Sequence, residues 1–439
     1  MEDKKFHLPP SLKGKVFRAG EFFKQKAKMP SSTNFLLENL SGIRRVETPE
    51  GAFLHRRITI PLDGGRLAEG YVFPGGCQLS ALVPGLLSLL SGDPDCEISA
   101  PSSLLFLDLE TTGLAGGTGT YPFLCGIGFF EENAFIVEQF FMEDYPYERA
   151  MLSQLAERVK AAEAFVTFNG KAFDVPLLAT RFIFNRIPIS LEIPHIDLLH
   201  PSRRLWRETL PDCRLESIER EFFQMTRERD VDSSLIPQIY FNFVRGRHRE
   251  WILPVFDHNV QDIATLGALL VFFCRILSDP APPELKKPFE LWGLGRLFLK
   301  LGRTENALRS LEQALYLAKE PDLIETLLVH IGRLYKKLER WEESARIWEQ
   351  LLECSKTHCM SAAVELAKYY EHRAREPHRA REVILRVLKG VEITSELESY
   401  VSGMESDLFP ELTPEIEKRL RRLDRKIRKK AHSKVENDS

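Results

Sequence analysis

The stretch from Leu104 to Leu114, LLFLDLETTGL, constrains this chain more than any other. Four apolar residues, Leu104 to Leu107, make a short buried-strand signal that breaks on Asp108, Leu109 and Glu110. Alternation along a strand turns Asp108 and Glu110 to one side and Leu109 into the core. Two carboxylates side by side at a sheet rim repel each other, and burying them costs desolvation energy unless a positive charge holds them. Hard oxygen donors at that spacing suit a divalent cation such as magnesium or manganese. The plainer alternative is that both acids cap the following turn, which Thr111, Thr112 and Gly113 would build. The choice depends on partners further along the chain.

Downstream, the runs 123–130 and 134–141 are β-rich and joined by the polar turn Glu131-Glu132-Asn133, so three strands form an antiparallel meander. Residues 146–162 carry Met151, Leu152, Leu155 and Val159 at helical spacing, and 164–168 is a fourth strand. A meander followed by a helix and a strand parallel to the first is the order of a ribonuclease-H-like α/β core with a mixed sheet. The first hundred residues offer no chemistry. They read as a basic arm over 1–30, a short helix over 35–44, a β-hairpin made of 54–60 and 70–73, and a helix over 82–90.

Two further acidic positions follow. Strand four runs into Phe168-Asn169-Gly170-Lys171-Ala172-Phe173-Asp174, which places Asp174 at the first turn of a helix over 175–185, where an Asp can equally be a helix cap. In Asp257-His258-Asn259-Val260-Gln261-Asp262, His258 and Asp262 are four apart and share a helical face at the opening of an apolar helix. A pair at this spacing is also a common surface contact.

The set D-x-E, N-x(4)-D and H-x(3)-D resembles the DEDD superfamily of 3′–5′ exonucleases, over about residues 104–275. The resemblance implies that Asp108, Glu110, Asp174 and Asp262 hold two Mg2+ or Mn2+ ions. It implies that His258 activates or orients water and that Asn169 supports the second motif. One departure stands: in that superfamily the base is a Tyr four before the last Asp or a His five before it, whereas here a His occupies the tyrosine register and Asp257 the other. The glycine-rich segment 115–123, with the later HPSRRLW, looks like the YprB-type ribonuclease-H-like proteins of bacteria. Its glycines either let backbone amides approach a phosphate or form a flexible hairpin. On the first reading Thr111, Gly117 and Tyr121 are strand contacts.

The same two alternatives face each basic cluster. Arg203, Arg204 and Arg207 around Trp206 suit phosphates and a stacked base, or else a solvated face with one Trp turned inward. The run 241–251, with Arg245, Arg247, His248 and Arg249 among aromatics, would extend a strand-binding groove.

At 439 residues the chain needs more than one domain, here read as 1–100, 101–278, 284–400 and 410–439. Beyond the linker Asp279-Pro280-Ala281-Pro282-Pro283, an all-α region repeats itself: Leu291, Leu294, Gly295, Phe298, Ala307, Leu311 and Ala314 match Leu328, Ile331, Gly332, Tyr335, Ser344, Trp348 and Leu351 with a shift of 37. A degenerate third copy holds Ala363, Leu366, Ala367 and Tyr370. This resembles tetratricopeptide repeats, whose concave face would take a protein partner. Between Lys418 and Lys430, nine of thirteen residues are Lys or Arg, with Ile416, Leu420, Leu423 and Ile427 at helical spacing. Nucleic-acid contact is preferred for this tail over a membrane surface or plain solvation.

Seven scattered cysteines without a C-x-x-C pair argue against a structural zinc and fit a reducing cytosol. No stretch reads as a membrane span, 264–277 being a short core helix. The expectation is a cytoplasmic, metal-dependent nuclease acting on single-stranded DNA or RNA. The alternatives are a nucleic-acid-binding scaffold without turnover, recruiting partners through its repeats, and a repeat adaptor with no nucleic-acid role.

Overall fold

The computed structural model describes residues 37, 42–65, 67, 70–75, 77, 79–93, 96–113, 119–225, 227, 231–354, 359–402 and 414–437. The expected arm over 1–30 and Gly117 lie outside them, as does most of the helix expected over 35–44. The chain divides into two compact units, Met1–Asp279 and Pro280–Ser439.

The first unit is built on one seven-stranded sheet in the order β1-β2-β5-β4-β3-β6-β7. Its strands are β1 (Ile43–Thr48), β2 (Gly51–Pro61), β3 (Leu104–Thr111), β4 (Pro122–Glu131), β5 (Ala134–Phe141), β6 (Ala164–Thr167) and β7 (His195–Asp197). β3, β4 and β5 form the expected antiparallel meander, and β6 runs parallel to β3 with Leu104 opposite Ala164. The expected hairpin is corrected. β2 pairs antiparallel with β1 through the turn at 49–50 and with β5 on its other side, so these strands extend the central sheet, while 70–73 forms no strand. With Arg44, Arg45 and Glu47 among its six residues, β1, Ile43-Arg44-Arg45-Val46-Glu47-Thr48, gave little apolar signal to find.

Around the sheet lie α1 (Pro84–Ser91), α2 (Glu148–Lys160), α3 (Asp174–Phe184), α4 (Leu199–Trp206), α5 (Leu215–Phe222), α6 (Ile236–Val244) and α7 (Leu253–Ser278). Alternation along β3 sorts its side chains: Leu105, Leu107 and Leu109 enter a core shared with α2 and α3, while Phe106 meets the edges of Phe130 and Phe135. α7 crosses β3, β4 and β5. Arg249–Ser278 is long and apolar enough to span a membrane by length and composition, contrary to expectation, yet 83% of its apolar window is buried inside the unit.

The second unit stacks helices in antiparallel pairs: α8 (Pro288–Lys300) with α9 (Thr304–Leu317), α10 (Pro321–Lys337) with α11 (Trp341–Cys354), and α12 (Cys359–His372) with α13 (Pro377–Ser402). The 37-residue repeat has a packing cause. A Cβ on Gly295 would stand 2.7 Å from Leu311, and one on Gly332 2.8 Å from Trp348, so each small residue admits the large residue at the equivalent place in its partner helix. The basic tail forms α14 (Pro414–Asn437) and is docked: Ile416 and Leu423 are buried, and Arg419, Arg422 and Lys426 converge on the buried carboxylate of Glu371 at 3.1, 2.6 and 2.8 Å.

Candidate metal-binding active site

β3 delivers Asp108 and Glu110 toward α7. Its pairing with β4 shifts register between Glu110 and Thr111, a bulge that re-aims the end of the strand at the site. Asp108 is held by Asn259 of α7, whose Nδ2 donates to Asp108 Oδ2 at 2.8 Å and to its carbonyl at 3.3 Å. Gln139 of β5 fixes that amide in turn, donating to Asn259 Oδ1 at 2.9 Å and to the Phe256 carbonyl at 2.9 Å. The close approach depends on Gly126, opposite Asp108 on β4, where a Cβ would fall 2.1 Å from Asn259 Oδ1.

α7 presents His258 and Asp262 one turn apart, well inside the helix rather than at its opening as the sequence suggested. His258 Nε2 lies 3.3 Å from Asp262 Oδ2 and 3.8 Å from Glu110 Oε1. Asp174 is the first residue of α3, not its cap, and its carboxylate accepts a hydrogen bond from the Leu109 amide. The loop before it is clamped by Asp197 at the end of β7, whose Oδ1 accepts from Asn169 N at 2.8 Å and Leu199 N at 3.1 Å, and whose Oδ2 accepts from Lys171 N at 3.1 Å. Asn169 sits in the left-handed region, at φ 71°, with its side chain exposed.

The electrostatics follow from crowding acids where little water reaches them. Burial pushes the Asp108 carboxyl up to about 8, and the charges of Asp262 and Asp174 reinforce it. Burial likewise raises Asp174 to about 7, with Glu110 and Asp197 adding to it against the backbone hydrogen bonds. Among the described residues no three acid, His or Cys groups already surround one point as metal ligands. The donor chemistry nevertheless fits a hard divalent cation, since the cluster is nearly all carboxylate oxygen. Asp108, Glu110, Asp174 and Asp262 are the residues that would hold it.

The sequence did not announce Arg227. Its guanidinium donates to Asp262 Oδ1 at 2.5 Å, to Glu219 Oε2 at 2.7 Å, and toward His258 Nδ1 at 3.3 Å. A guanidinium has no acceptor, so His258 Nδ1 accepts here and a neutral imidazole carries its proton on Nε2, facing Asp262 and Glu110. Asn259, Gln139 and Asp197 were equally unmarked: each is a lone polar residue whose partners are remote in sequence.

The remaining expected contacts divide. Thr111 is buried and its hydroxyl donates to the Gly113 carbonyl at 2.8 Å, closing the turn. Tyr121 is half-buried, with the Arg181 guanidinium 4.1 Å from its ring centroid and Tyr145 at its edge. Arg203 is exposed and Arg204 half-buried on α4. Trp206 is fully buried against Phe222, Phe272 and Phe273, so the inward-turned alternative holds and no base can stack on it. In the second basic–aromatic run, Phe243 and Trp251 are core residues and Arg249 lies over Phe243 while pairing with Glu143, which leaves Arg245 and Arg247 as the exposed cations. Asp257 is engaged by the Tyr71 hydroxyl and lies 3.8 Å from Arg56.

A family model described as the RNase_H superfamily matches residues 105–273, a span that runs from β3 into α7. A tetratricopeptide-repeat model matches residues 293–325, within α8, α9 and the start of α10. The chain is similar to YprB of Bacillus subtilis (strain 168), a protein itself described as uncharacterized: the two are 32% identical over 302 residues, covering 68% of this chain and 72% of that one.

Proposed function

Because this chain belongs to the RNase H superfamily, we propose that it is a metal-dependent nuclease, and specifically a 3′–5′ exonuclease on single-stranded DNA or RNA in a reducing cytoplasm. The observation that carries the reading is the approach of Asp108, Glu110, Asp174 and Asp262, from β3, α3 and α7, to one another at the carboxyl end of β3. Two divalent ions, when bound, would neutralise the scissile phosphate and the leaving oxygen and lower the pKa of the attacking water. The protein's own groups do the placing. Asn259 and Gln139 fix Asp108, Asp197 fixes the loop ahead of Asp174, and His258 orients water through its Nε2 hydrogen. Arg203 on α4 and Arg245 and Arg247 after α6 are exposed cations for the strand backbone.

End-labelled single-stranded DNA and RNA oligonucleotides, incubated with manganese or with EDTA, test this directly. Wild type shortens one of them from its 3′ end only with manganese, and Asp262→Ala leaves it intact. The second reading, a binding scaffold without turnover, is favoured by the guanidinium seated on Asp262. It predicts strand binding that needs no divalent ion, and no products from either protein.

For the repeat unit we propose a protein partner, an acidic segment carrying apolar side chains. A groove of about 1070 Å³ is lined by Arg333, Lys336, Lys337, Lys368, Arg419 and Arg422, cations set against the two acids Glu365 and Glu415, over a floor that includes Val329, Met360 and Ile416; Lys336 and Lys368 pair with Glu365, and Arg419 and Arg422 with Glu371. A nucleic-acid strand is the weaker fit, because Trp348 is buried and one face of Trp341 is already covered by Arg373 at 3.9 Å. A fluorescent acidic–apolar peptide is expected to bind and to weaken at least several-fold in Lys336→Glu/Arg333→Glu. An oligonucleotide bound in its place, and lost in the same variant, reverses the assignment.

A further inference from the structure

Arg227 is the one cation in the candidate site, among the described residues, that the proposed chemistry leaves without a task. Its side chain is 5% exposed and that of Glu219 on α5 is 1% exposed, so the pair is shut away from water. The guanidinium is forked: Nε rests on Glu219 at 2.7 Å, while Nη2 reaches across to Asp262 at 2.5 Å. Arginine keeps its charge at every pH a protein survives, so Asp262 faces a permanent positive neighbour. A divalent ion taking the same carboxylate would be repelled by that charge at close range, where little water screens it.

We propose that Arg227 is a resident counter-ion of this site, which a divalent cation displaces from Asp262 and which, once released, grips the anionic substrate. The inference rests on the reading of Asp262 as a metal ligand. The fork makes such an exchange cheap, because the arm on Glu219 can stay in place while the arm on Asp262 lets go. With Nη2 off Asp262 and Nη1 off His258 Nδ1, the freed guanidinium edge presents paired donors, the geometry that matches a phosphate. Metal loading and substrate binding are thereby coupled through one side chain. Manganese strengthens strand binding by more than its own charge accounts for, and by reciprocity the strand strengthens manganese binding. An arginine with a purely structural task would instead support the metal site by holding Asp262 in place.

The two tasks predict opposite signs. Manganese binding to the full chain, followed by the EPR signal of the free ion, compares wild type with Arg227→Met and with Arg227→Met/Glu219→Gln. The double variant removes both buried charges, so neither is stranded if the single variant folds poorly. The expected result is binding about tenfold tighter in the variants, as loss of a close like charge implies. Single-strand binding should at the same time lose its manganese-dependent gain. Manganese affinity that is unchanged or weaker in the folded double variant overturns the inference, while wild-type turnover leaves the proposed function standing. No manganese binding by any of the three proteins takes down the metal site itself.

Discussion

Asp108 shows how a single carboxylate is set in place by the residues around it. Its strand supplies position, Asn259 supplies orientation, and Gly126 supplies the space in which they meet. Gly126→Ala puts a methyl group into Asn259, and overpacking of this kind costs about 1–3 kcal/mol. A lowered thermal midpoint, with cleavage lost more than stability, is expected, because the displaced amide releases Asp108. Full activity at reduced stability would show that the amide is dispensable. At this scale the sequence was half legible. Asp108 and Glu110 stood out because their pattern is local, three residues on an apolar strand, and Asp174, His258 and Asp262 were proposed as their partners by resemblance. Arg227, Asn259, Gln139 and Asp197 have no such pattern. Their meaning lies in contacts that only folding creates, and nothing in the spacing distinguishes them from ordinary polar residues. Trp206 failed in the opposite direction, since arginines beside an aromatic look the same in sequence whether the ring faces outward or into the core.

Among the elements, the repeat helices were the most legible, because one packing rule is written out more than once. Leu311 seats on Gly295 and Trp348 on Gly332, which turns a sequence shift into a shared helix crossing. Trp348→Ala empties the larger of these contacts and should cost about 3–5 kcal/mol. Circular dichroism of the full chain should then show a separate, earlier loss of helix, while metal-dependent cleavage at low temperature persists. Loss of both together would mean that the two compact units do not behave independently. The strands were read less well. The meander announced itself through long apolar runs, but β1 carries three charged residues with only Ile43 buried, and the hairpin partner of β2 was sought downstream at 70–73 instead of upstream. The tail helix was legible as amphipathic and basic, yet not as docked, because Glu371, the acid that receives three of its cations, lies some fifty residues upstream.

Across the whole molecule, one buried acid ties several pieces of the first unit together. Glu138 on β5 is reached by Arg57 at 2.9 Å, Arg158 of α2 at 2.7 Å and His55 at 3.7 Å. Burial alone would raise its carboxyl, but the hydrogen bonds from His55 and Arg158 outweigh that and hold it at about 2, against an ordinary 4.5. A depressed carboxylate contributes stability above its unfolded value and loses it as the pH falls toward the folded one. Acid unfolding of the chain should therefore steepen between about pH 4.5 and 2, and Glu138→Gln, already weakened at neutral pH, should lose that part of the slope. An unaltered slope would assign the acid sensitivity elsewhere. The sheet that Glu138 helps to brace has two open sides, and both are guarded. On one side β1 sets Arg44, Arg45 and Glu47 outward, where any strand laid alongside would meet fixed charges. On the other, β7 is three residues long, too short to template a newcomer. A wide sheet with an apolar centre is an invitation to self-assembly, and among the described residues both of its margins oppose the addition of a further strand.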